Sequence, residues 1–194
     1  ERGLYMADLA KYKAQLNDQK EYMPKDIFRK KAKRLSAMMK TLETSIKEIV
    51  QEIETVIGST PKLARQYELL QSIDGVGPIV ALNMITATEA FTRFENARQF
   101  NCYAGLAPFR YTSGSSLHSK ARVSHRANKG LKALLHLAAV SLISKSGGEM
   151  KEYYLRKVNE GKSKMAVINA LRAKIVARMF AVIRKNEFYK PILA

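Results

Sequence analysis

The chain has 194 residues and a formal net charge of +17, from 34 lysines and arginines against 17 aspartates and glutamates. A field of this sign attracts polyanions, so nucleic acid is the first class of partner to consider and an anionic membrane surface the second. Hydrophobic residues make up 46% of the chain, which excludes a disordered basic tail and predicts a packed core. The single cysteine, Cys102, excludes a disulfide framework. The uncharged runs are too short to span a bilayer, so we expect no membrane partner and a cytoplasmic location.

Residues 1–59 are predicted to form a helical arm. Apolar residues repeat at helical spacing from Tyr5 to Leu16, and again over three heptads from Met39 to Val56. The second pattern leaves two alternatives open, a coiled coil that assembles copies of the chain or an antiparallel hairpin that packs on its own domain. In either case the arm is an assembly or structural element. Its end is marked by a glycine, a threonine and a proline within residues 58–61, which we expect to stop one helix and begin the next.

Most of the positive charge lies after this boundary. Residues 1–60 carry 12 basic and 9 acidic groups, whereas residues 61–194 carry 22 basic and 8 acidic groups. Between Glu95 and Glu149 the sequence has eight lysines and arginines, all three histidines and no acidic residue. We therefore predict that the phosphate-facing surface lies there, although a solvated basic face is the alternative. The candidate contacts are Arg110, Lys120, Arg122, Arg126, Lys129 and Lys132.

Residues 60–194 are predicted to form a compact helical domain, so the whole chain belongs to the mostly α class. Two helices flank a turn that contains Gly75, Val76 and Gly77, and the pattern over residues 66–88 is typical of a helix-hairpin-helix motif. Glycines in such a turn leave amide hydrogens free to hold one phosphate. Backbone amides read phosphates rather than bases, so binding of this kind would be insensitive to sequence. A simple interhelical turn is the alternative.

Further helices are expected after this motif, at residues 96–105, 128–144, 149–159 and 164–185, the first of them capped by its leading asparagine. Between the first two, residues 108–124 are polar, basic and glycine-bearing, which predicts an irregular loop or a loose hairpin. Apart from this segment, the sequence shows no clear alternating strand pattern.

The sequence does not indicate a metal centre on this chain. Metal-assisted phosphoryl transfer requires several carboxylates at one point, but three of the four aspartates lie in the arm. The histidines and the cysteine also lack the spacing of a zinc site. We interpret each histidine as a phosphate contact or a packed residue. The residues considered are Asp8, Asp18, Asp26, Asp74, Cys102, His118, His125 and His136.

Ser113 is the better candidate for chemistry. A hydroxyl attacks a phosphodiester more readily when nearby cations stabilise the alkoxide and the developing charge on phosphorus. Ser113 follows Arg110 and precedes a basic group that begins at Lys120, and the adjacent Gly114 would let the backbone come close to a substrate. The residues alone leave other serines as competitors. These are Ser115, Ser116 and Ser119.

Five ordered blocks of the sequence resemble the C-terminal transposase domain of the IS110 family of insertion-sequence transposases, with its IS116 and IS902 relatives. The blocks are residues 73–78, 94–100, 103–108, 112–114 and 128–134. The ending of the chain is also similar, so the resemblance covers roughly residues 65–190. One departure is Lys132, where the family pattern has an arginine, a change that would lose a bidentate phosphate contact.

The resemblance implies a bridge-RNA-guided recombinase of a bacterial or archaeal nucleoid, with DNA and a structured guide RNA as partners. It implies that Ser113 attacks the DNA backbone and that the arm is a coiled coil that makes a dimer or tetramer. The family's RuvC-like domain, with four acidic residues and magnesium, has no counterpart in this sequence. Since the chain also begins at Glu1 rather than methionine, we expect it to be a piece of a longer protein, with no cofactor of its own and inactive by itself.

Two other hypotheses compete with that of a recombinase. In the first, the domain is a non-catalytic helix-hairpin-helix module that holds duplex backbone. In the second, the arm is the main functional element, and the basic surface is incidental to assembly. A covalent protein–DNA adduct would separate the enzyme from the binding module, and salt-dependent DNA binding would separate both from the assembly domain.

Overall fold

The computed structural model describes residues 1–107, 112–113, 117–118, 127–144 and 148–191. The described residues form eight α-helices and one two-stranded β-ladder of two residues per strand, which confirms the mostly α class. The chain divides into two compact units, Glu1–Pro61 and Lys62–Ala194. None of the described helices is both long and apolar enough to cross a membrane.

The first unit is a helical hairpin of α1 (Arg2–Gln19) and α2 (Lys25–Ser59). Pro24 occupies the N-cap position of α2, where the fixed φ of proline suits the entry into a helix. The helices run antiparallel, because Lys31 near the start of α2 bonds Gln19 at the end of α1, whereas Lys13 pairs with the more distant Glu43 at 3.4 Å. The two helices of the arm therefore pack on each other as an antiparallel hairpin, and assembly of copies through the heptad residues stays a prediction.

The apolar stripes of this hairpin are covered only in part. Among its described residues, Leu9 and Ile57 are the buried hydrophobic side chains. The heptad residues from Met39 to Ile53 are half-buried, and Val56 is exposed. The helix α2 continues through Gly58, so this glycine is not the stop that the sequence suggested. Instead, Thr60 adopts an extended conformation and ends the helix.

The second unit contains the remaining elements. Asn96 caps α5 as expected, because its side chain accepts hydrogen bonds from the amides of Arg98 and Gln99, both at 3.0 Å. Ser163 caps α8 in the same way through the amide of Ala166. The elements are α3 (Pro61–Gln71), α4 (Pro78–Ala87), α5 (Ala97–Tyr103), β1 (Thr112–Ser113), β2 (Leu117–His118), α6 (Lys129–Ser144), α7 (Glu149–Asn159) and α8 (Lys164–Lys185).

The core of the second unit is organised around α8, which packs against α5, α6 and α7. Leu171, Ile175 and Met179 of α8 are fully buried, and Leu135 of α6 and Phe100 of α5 are buried with them. Burying an aliphatic or aromatic side chain of this size contributes about 1.5–3 kcal/mol. The helices that carry the candidate site are therefore fixed to one continuous hydrophobic core.

The residues after α8 return to the first helix of the same unit. Asn186 ends α8 in a left-handed conformation with φ of 54°. Arg65 of α3 donates to its side-chain oxygen and to its backbone carbonyl, both at 3.2 Å, and stacks on the Phe188 ring at 4.4 Å. The amide of Tyr189 donates to Oγ of Ser72 at 2.9 Å. This tail, residues 186–189, holds the beginning and the end of the unit together.

Candidate nucleic-acid interface

The turn between α3 and α4 is a tight hairpin of residues 72–77. The amide of Val76 donates to the carbonyl of Ile73 at 3.0 Å, and both side chains are buried. Gly75 has a φ of +80°, in the left-handed region that a side chain disfavours. It also lies directly against Leu142 of α6. Gly75 therefore has a structural role in this hairpin, independent of any ligand.

The opposite side of the hairpin offers unpaired backbone donors. The amides of Gly77, Ile79 and Val80 donate to no acceptor in the described part of the chain, and Pro78 between them has no N–H. Gly77 has an ordinary φ of −82°, and a Cβ added to it would meet no atom within 4 Å. Open space around free amides at a helix start is suited to an anion. Of the two glycines, Gly77 is thus the one whose surroundings fit phosphate binding.

Ser113 lies in the antiparallel ladder of β1 and β2. Its backbone pairs with Leu117, and Thr112 pairs with His118. These four residues form a ladder of two residues per strand, and the rest of the loop predicted over residues 108–124 lies outside the described residues. The remaining predictions for this segment lie outside the described residues. They are Arg110, Gly114, Ser115, Ser116, Ser119, Lys120, Arg122, His125 and Arg126.

The described residues that flank the serine segment are anchored to the core. On the entering side, Asn169 of α8 donates to the carbonyl of Leu106 at 2.7 Å, and the amide of Leu106 donates to the carbonyl of Asn101 at 2.8 Å. On the returning side, the amide of Asn128 donates to the carbonyl of Tyr103 at 3.2 Å. Both ends of the segment thus begin from α5 and its immediate surroundings.

The two described lysines of the candidate interface stand at the start of α6. Asn128 caps this helix through the amide of Leu131 at 3.1 Å. Lys129 is exposed and Lys132 is half-buried, and neither has an ion-pair partner among the described residues. Two unpaired cations in the first turn oppose the helix dipole, an arrangement that an added anion would relieve.

The structure separates these lysines from the hairpin. Gly75 contacts Leu142, which lies near the other end of α6 from Lys129. At 1.5 Å per residue, the 13 positions between Leu142 and Lys129 span about 20 Å. Gly75 and Lys129 therefore do not meet at one phosphate. They are spaced over a distance comparable to about six base-pair steps of duplex DNA.

Arg172 of α8 is a feature that the sequence analysis missed. It is 4% exposed, and its Nη2 lies 2.6 Å from Nδ1 of His136 on α6. A guanidinium can only donate, so Nδ1 accepts and the ring hydrogen is placed on Nε2. Burial lowers the pKa of Arg172, and its Nε has no hydrogen-bond partner among the described residues. Nothing local in the sequence marks this pair, because its members are 36 residues apart.

Within the described ranges, no group of three or more His, Cys, Asp or Glu residues is placed to hold a metal ion. Four described carboxylates of the second unit, those of Glu68, Glu89, Glu149 and Glu160, pair with cations, Glu149 with Arg178 at 2.6 Å.

Comparison with known proteins gives a consistent set of similarities. Residues 67–155 match the model of the family described as Transposase IS116/IS110/IS902. The chain is 29% identical over 143 residues to the Pilin gene-inverting protein of Moraxella bovis, over 74% of this chain and 44% of that protein. It is 26% identical to the uncharacterized 43.6 kDa protein of insertion element IS110 from Streptomyces coelicolor, over 76% of this chain and 36% of that protein.

A further similarity is to the transposase for insertion sequence element IS1111A of Coxiella burnetii, at 26% identity over 74% of this chain and 40% of that protein. The chain thus spans less than half the length of each of these three relatives. The family match includes the α3–α4 hairpin, the ladder with Ser113 and the start of α6.

Proposed function

We propose, on the premise that residues 67–155 form a domain of the Transposase IS116/IS110/IS902 family, that this chain is the DNA-binding, serine-bearing part of an insertion-sequence transposase. The observation that carries the proposal is the order of features in the matched segment. A hairpin with three unpaired amides comes first, the ladder with Ser113 second and the basic start of α6 third.

In this proposal the hairpin and α6 bind the phosphate backbone of a duplex. The amides of Gly77, Ile79 and Val80 hold one phosphate, and Lys132 and Lys129 hold others, at about 15 and 20 Å along α6 from the Gly75–Leu142 contact. Neither contact reads a base, so both position the DNA without selecting its sequence. The net positive charge of the second unit supports this role, because it would raise the rate of encounter with a polyanion.

Ser113 supplies the chemistry in the proposal. Its Oγ attacks a backbone phosphorus, an Oγ–P bond forms, and the P–O bond to one sugar oxygen breaks. The serine proton ends on the departing sugar oxygen, and the phosphoserine link conserves the bond energy. A sugar hydroxyl of a second strand then attacks the same phosphorus, a new sugar O–P bond forms, the Oγ–P bond breaks, and the hydroxyl proton ends on Oγ of the serine. The DNA strands are thus rejoined without an external energy source. The basic residues around the segment would stabilise the charge on phosphorus.

The remaining partners follow from the same proposal. A structured guide RNA would select the DNA site, since the contacts described above do not. The half-buried stripe of α2 supports association of copies through the arm, because a two-helix hairpin leaves such a stripe partly in water. Any magnesium centre would lie in a segment of the transposase other than the described residues. We place the reaction in the cytoplasm, at the nucleoid of the host.

The test compares serine variants in the whole transposase that contains this chain. Ser113→Ala should abolish strand exchange and the covalent adduct on a suicide DNA substrate, and leave DNA affinity within about twofold. Ser115→Ala and Ser116→Ala are matched controls from the same segment and should retain both activities. An adduct that survives in Ser113→Ala, or one that disappears in a control, would contradict the assignment of the nucleophile.

A second candidate function is favoured by the hairpin geometry alone. A module that binds duplex backbone through the free amides of residues 77–80 needs no nucleophile. It would bind DNA with the same dependence on salt and form no adduct on any suicide substrate. Absence of an adduct with the unmodified whole protein, under conditions where DNA is bound, would favour this function over the transposase reaction.

A further inference from the structure

A cavity on the second unit is used by none of the contacts proposed above. Its volume is about 560 Å³, within the range of about 300–1,000 Å³ that is usual for small-ligand sites. It opens between α8 and the segment that joins α4 to α5. Three phenylalanines line it, namely Phe91, Phe94 and Phe180, together with Ala177 and Ala181 of α8. Three of its eleven lining residues are therefore aromatic, and most of the others are alanines or charged residues.

The position of Phe91 is maintained at a conformational cost. Glu89, Ala90 and Phe91 have φ values of 51°, 56° and 62°, so three consecutive residues other than glycine are left-handed. Each such residue is disfavoured unless its surroundings fix it, and strain of this kind is concentrated at functional sites. The surroundings do fix this turn. The amide of Ala90 donates to Ile85 at 2.8 Å, and that of Phe91 donates to Oγ1 of the buried Thr88 at 3.0 Å.

The aromatic rings are also fixed by one another. Phe91 meets Phe180 edge to face, with ring centroids 5.0 Å apart, and Phe94 meets the buried Phe100 edge to face at 5.4 Å. Aromatic pairs in this geometry attract each other beyond the effect of burial. The rings around the cavity are therefore pre-organised, and a flat ligand would not have to order them on binding.

The rim of the cavity combines free cations with one oriented carboxylate. Arg98 of α5 and Arg184 of α8 are exposed, and in the described part of the chain neither has an ion-pair partner. The carboxylate of Glu95 accepts from Nε2 of Gln99 at 3.1 Å, and Oε1 of Gln99 accepts from the amide of Glu95 at 3.0 Å. Gln99 thus holds Glu95 at the rim, where it can accept from an amino group.

We propose that this cavity binds one unpaired nucleotide of a nucleic acid strand, with the base against the phenylalanines and its flanking phosphates at Arg98 and Arg184. Stacking on aromatic rings accepts the flat face of any base, and arginines recognise phosphate. Glu95 would favour bases that carry an exocyclic amino group, such as cytosine and adenine, over thymine and uracil. The charge of the rim argues against an apolar peptide segment as the occupant. The inference rests on one part of the proposed function, namely that the chain binds nucleic acid.

The test measures the affinity of the 194-residue chain for short duplexes by fluorescence anisotropy. One duplex carries a single extrahelical cytidine, a second carries an abasic residue at the same position, and a third is fully paired. The abasic residue keeps the phosphates and removes the base, so the first two duplexes differ only in what the cavity would bind. We expect about tenfold tighter binding of the cytidine duplex than of the abasic one. DNA and RNA versions distinguish the source of the nucleotide, and the preference in either supports the proposal.

Matched variants assign the effect to the cavity. Phe91→Leu keeps an apolar side chain of similar volume and should reduce the preference for the base to less than about threefold. Phe188→Leu makes the same change at an exposed phenylalanine outside the cavity and should leave the preference unchanged. If Phe91→Leu fails to fold, Arg184→Gln tests the phosphate contact at the rim instead. It should weaken binding of the cytidine duplex and of the abasic duplex equally. Glu95→Gln should reduce the discrimination between extrahelical cytidine and thymidine.

The outcomes separate this inference from the proposed function. Equal affinity for the cytidine and abasic duplexes in both DNA and RNA would overturn the inference, as would an equal loss of preference in the Phe91 and Phe188 variants. Failure of the DNA-binding part of the proposed function would instead remove the affinity for the fully paired duplex. The comparison is then made on single-stranded pentanucleotides with a central cytidine or abasic residue, where equal affinity again overturns the inference.

Discussion

Gly75 and Leu142 are in such close contact that a Cβ atom added to the glycine would lie 2.6 Å from Cγ of the leucine. This contact joins the α3–α4 hairpin to α6, and Leu142 is buried. Gly77, two residues further on, has open space around the corresponding position. The two glycines of one sequence motif therefore differ in role, one fixing the fold and the other leaving the backbone accessible.

Substitution of each glycine by alanine should separate these roles. We expect Gly75→Ala to lower the free energy of unfolding by about 2–4 kcal/mol, because it combines a left-handed φ with overpacking against Leu142. Gly77→Ala should cost less than about 1 kcal/mol and still weaken DNA binding, because the methyl group stands where a phosphate would approach. Urea unfolding and DNA titration at fixed salt measure the two effects. Wild-type affinity in a folded Gly77→Ala protein would exclude the hairpin as a phosphate site.

The lysines at the start of α6 should contribute to the salt dependence of DNA binding. The logarithm of the affinity falls with the logarithm of salt concentration by about 0.9 for each phosphate neutralised. Lys129→Gln should therefore reduce this slope by about one unit. Lys33→Gln, at an exposed position of the arm, is the control. It should leave the slope of log affinity against log salt concentration unchanged. An unaltered slope in Lys129→Gln would remove this lysine from the interface.

Arg172 and His136 should be strongly coupled in stability. His136→Leu removes the hydrogen-bond partner of a buried guanidinium, and we expect a loss of about 1–3 kcal/mol. Arg172→Met in the same background removes the buried charge and should recover part of that loss, because a cation without a counter-ion no longer has to be desolvated. A double-mutant cycle by urea unfolding measures the coupling. Strictly additive effects would show that the 2.6 Å contact has no energetic role.

The stability of the second unit should fall at alkaline pH through Tyr189. Burial is the main cause that raises the pKa of its phenol above 10.0, and the nearby Arg178 opposes the shift in part. The folded state thus holds the proton more tightly than the unfolded state, so its contribution is complete below pH 10 and is lost as the pH rises through the folded pKa. Between pH 9.5 and 11, the Tm of the wild type should fall more than that of Tyr189→Phe. The matched control is Tyr22→Phe, at a side chain that is 85% exposed, and it should follow the wild type.

The helices could be predicted from the sequence because their signals are local. Asn96 caps α5 with the two hydrogen bonds expected of that residue, and the helix predicted over residues 164–185 has the bounds of α8. Gly58 shows the limit of such signals. Its expected role as a helix stop is wrong, because no contact or backbone requirement at that position ends α2.

The parts that could not be predicted depend on contacts between distant residues. Arg172 and His136 lie on different helices, and nothing in the sequence around either one distinguishes it from an ordinary basic residue. The left-handed turn of residues 89–91 contains no glycine, asparagine or aspartate to signal a positive φ. It forms because the buried Thr88 and the end of α4 supply partners for its amides. Tertiary structure, rather than local propensity, determines both features.

The tail of residues 186–189 contacts the first helix of the second unit, so the two ends of the unit lie side by side. Arg65 and Asn186 are 121 positions apart and share two hydrogen bonds, so the unit begins and ends at the same place. A short linker could join these ends in a circular permutant, with new termini opened in an exposed turn such as that around Gly161. Deletion of the tail, by contrast, would remove the hydrogen bonds that Arg65 and Ser72 make with it, while the buried Leu69 and Leu70 would still hold α3 in the core. For any shortened form of this protein, Tyr189 is therefore part of the fold.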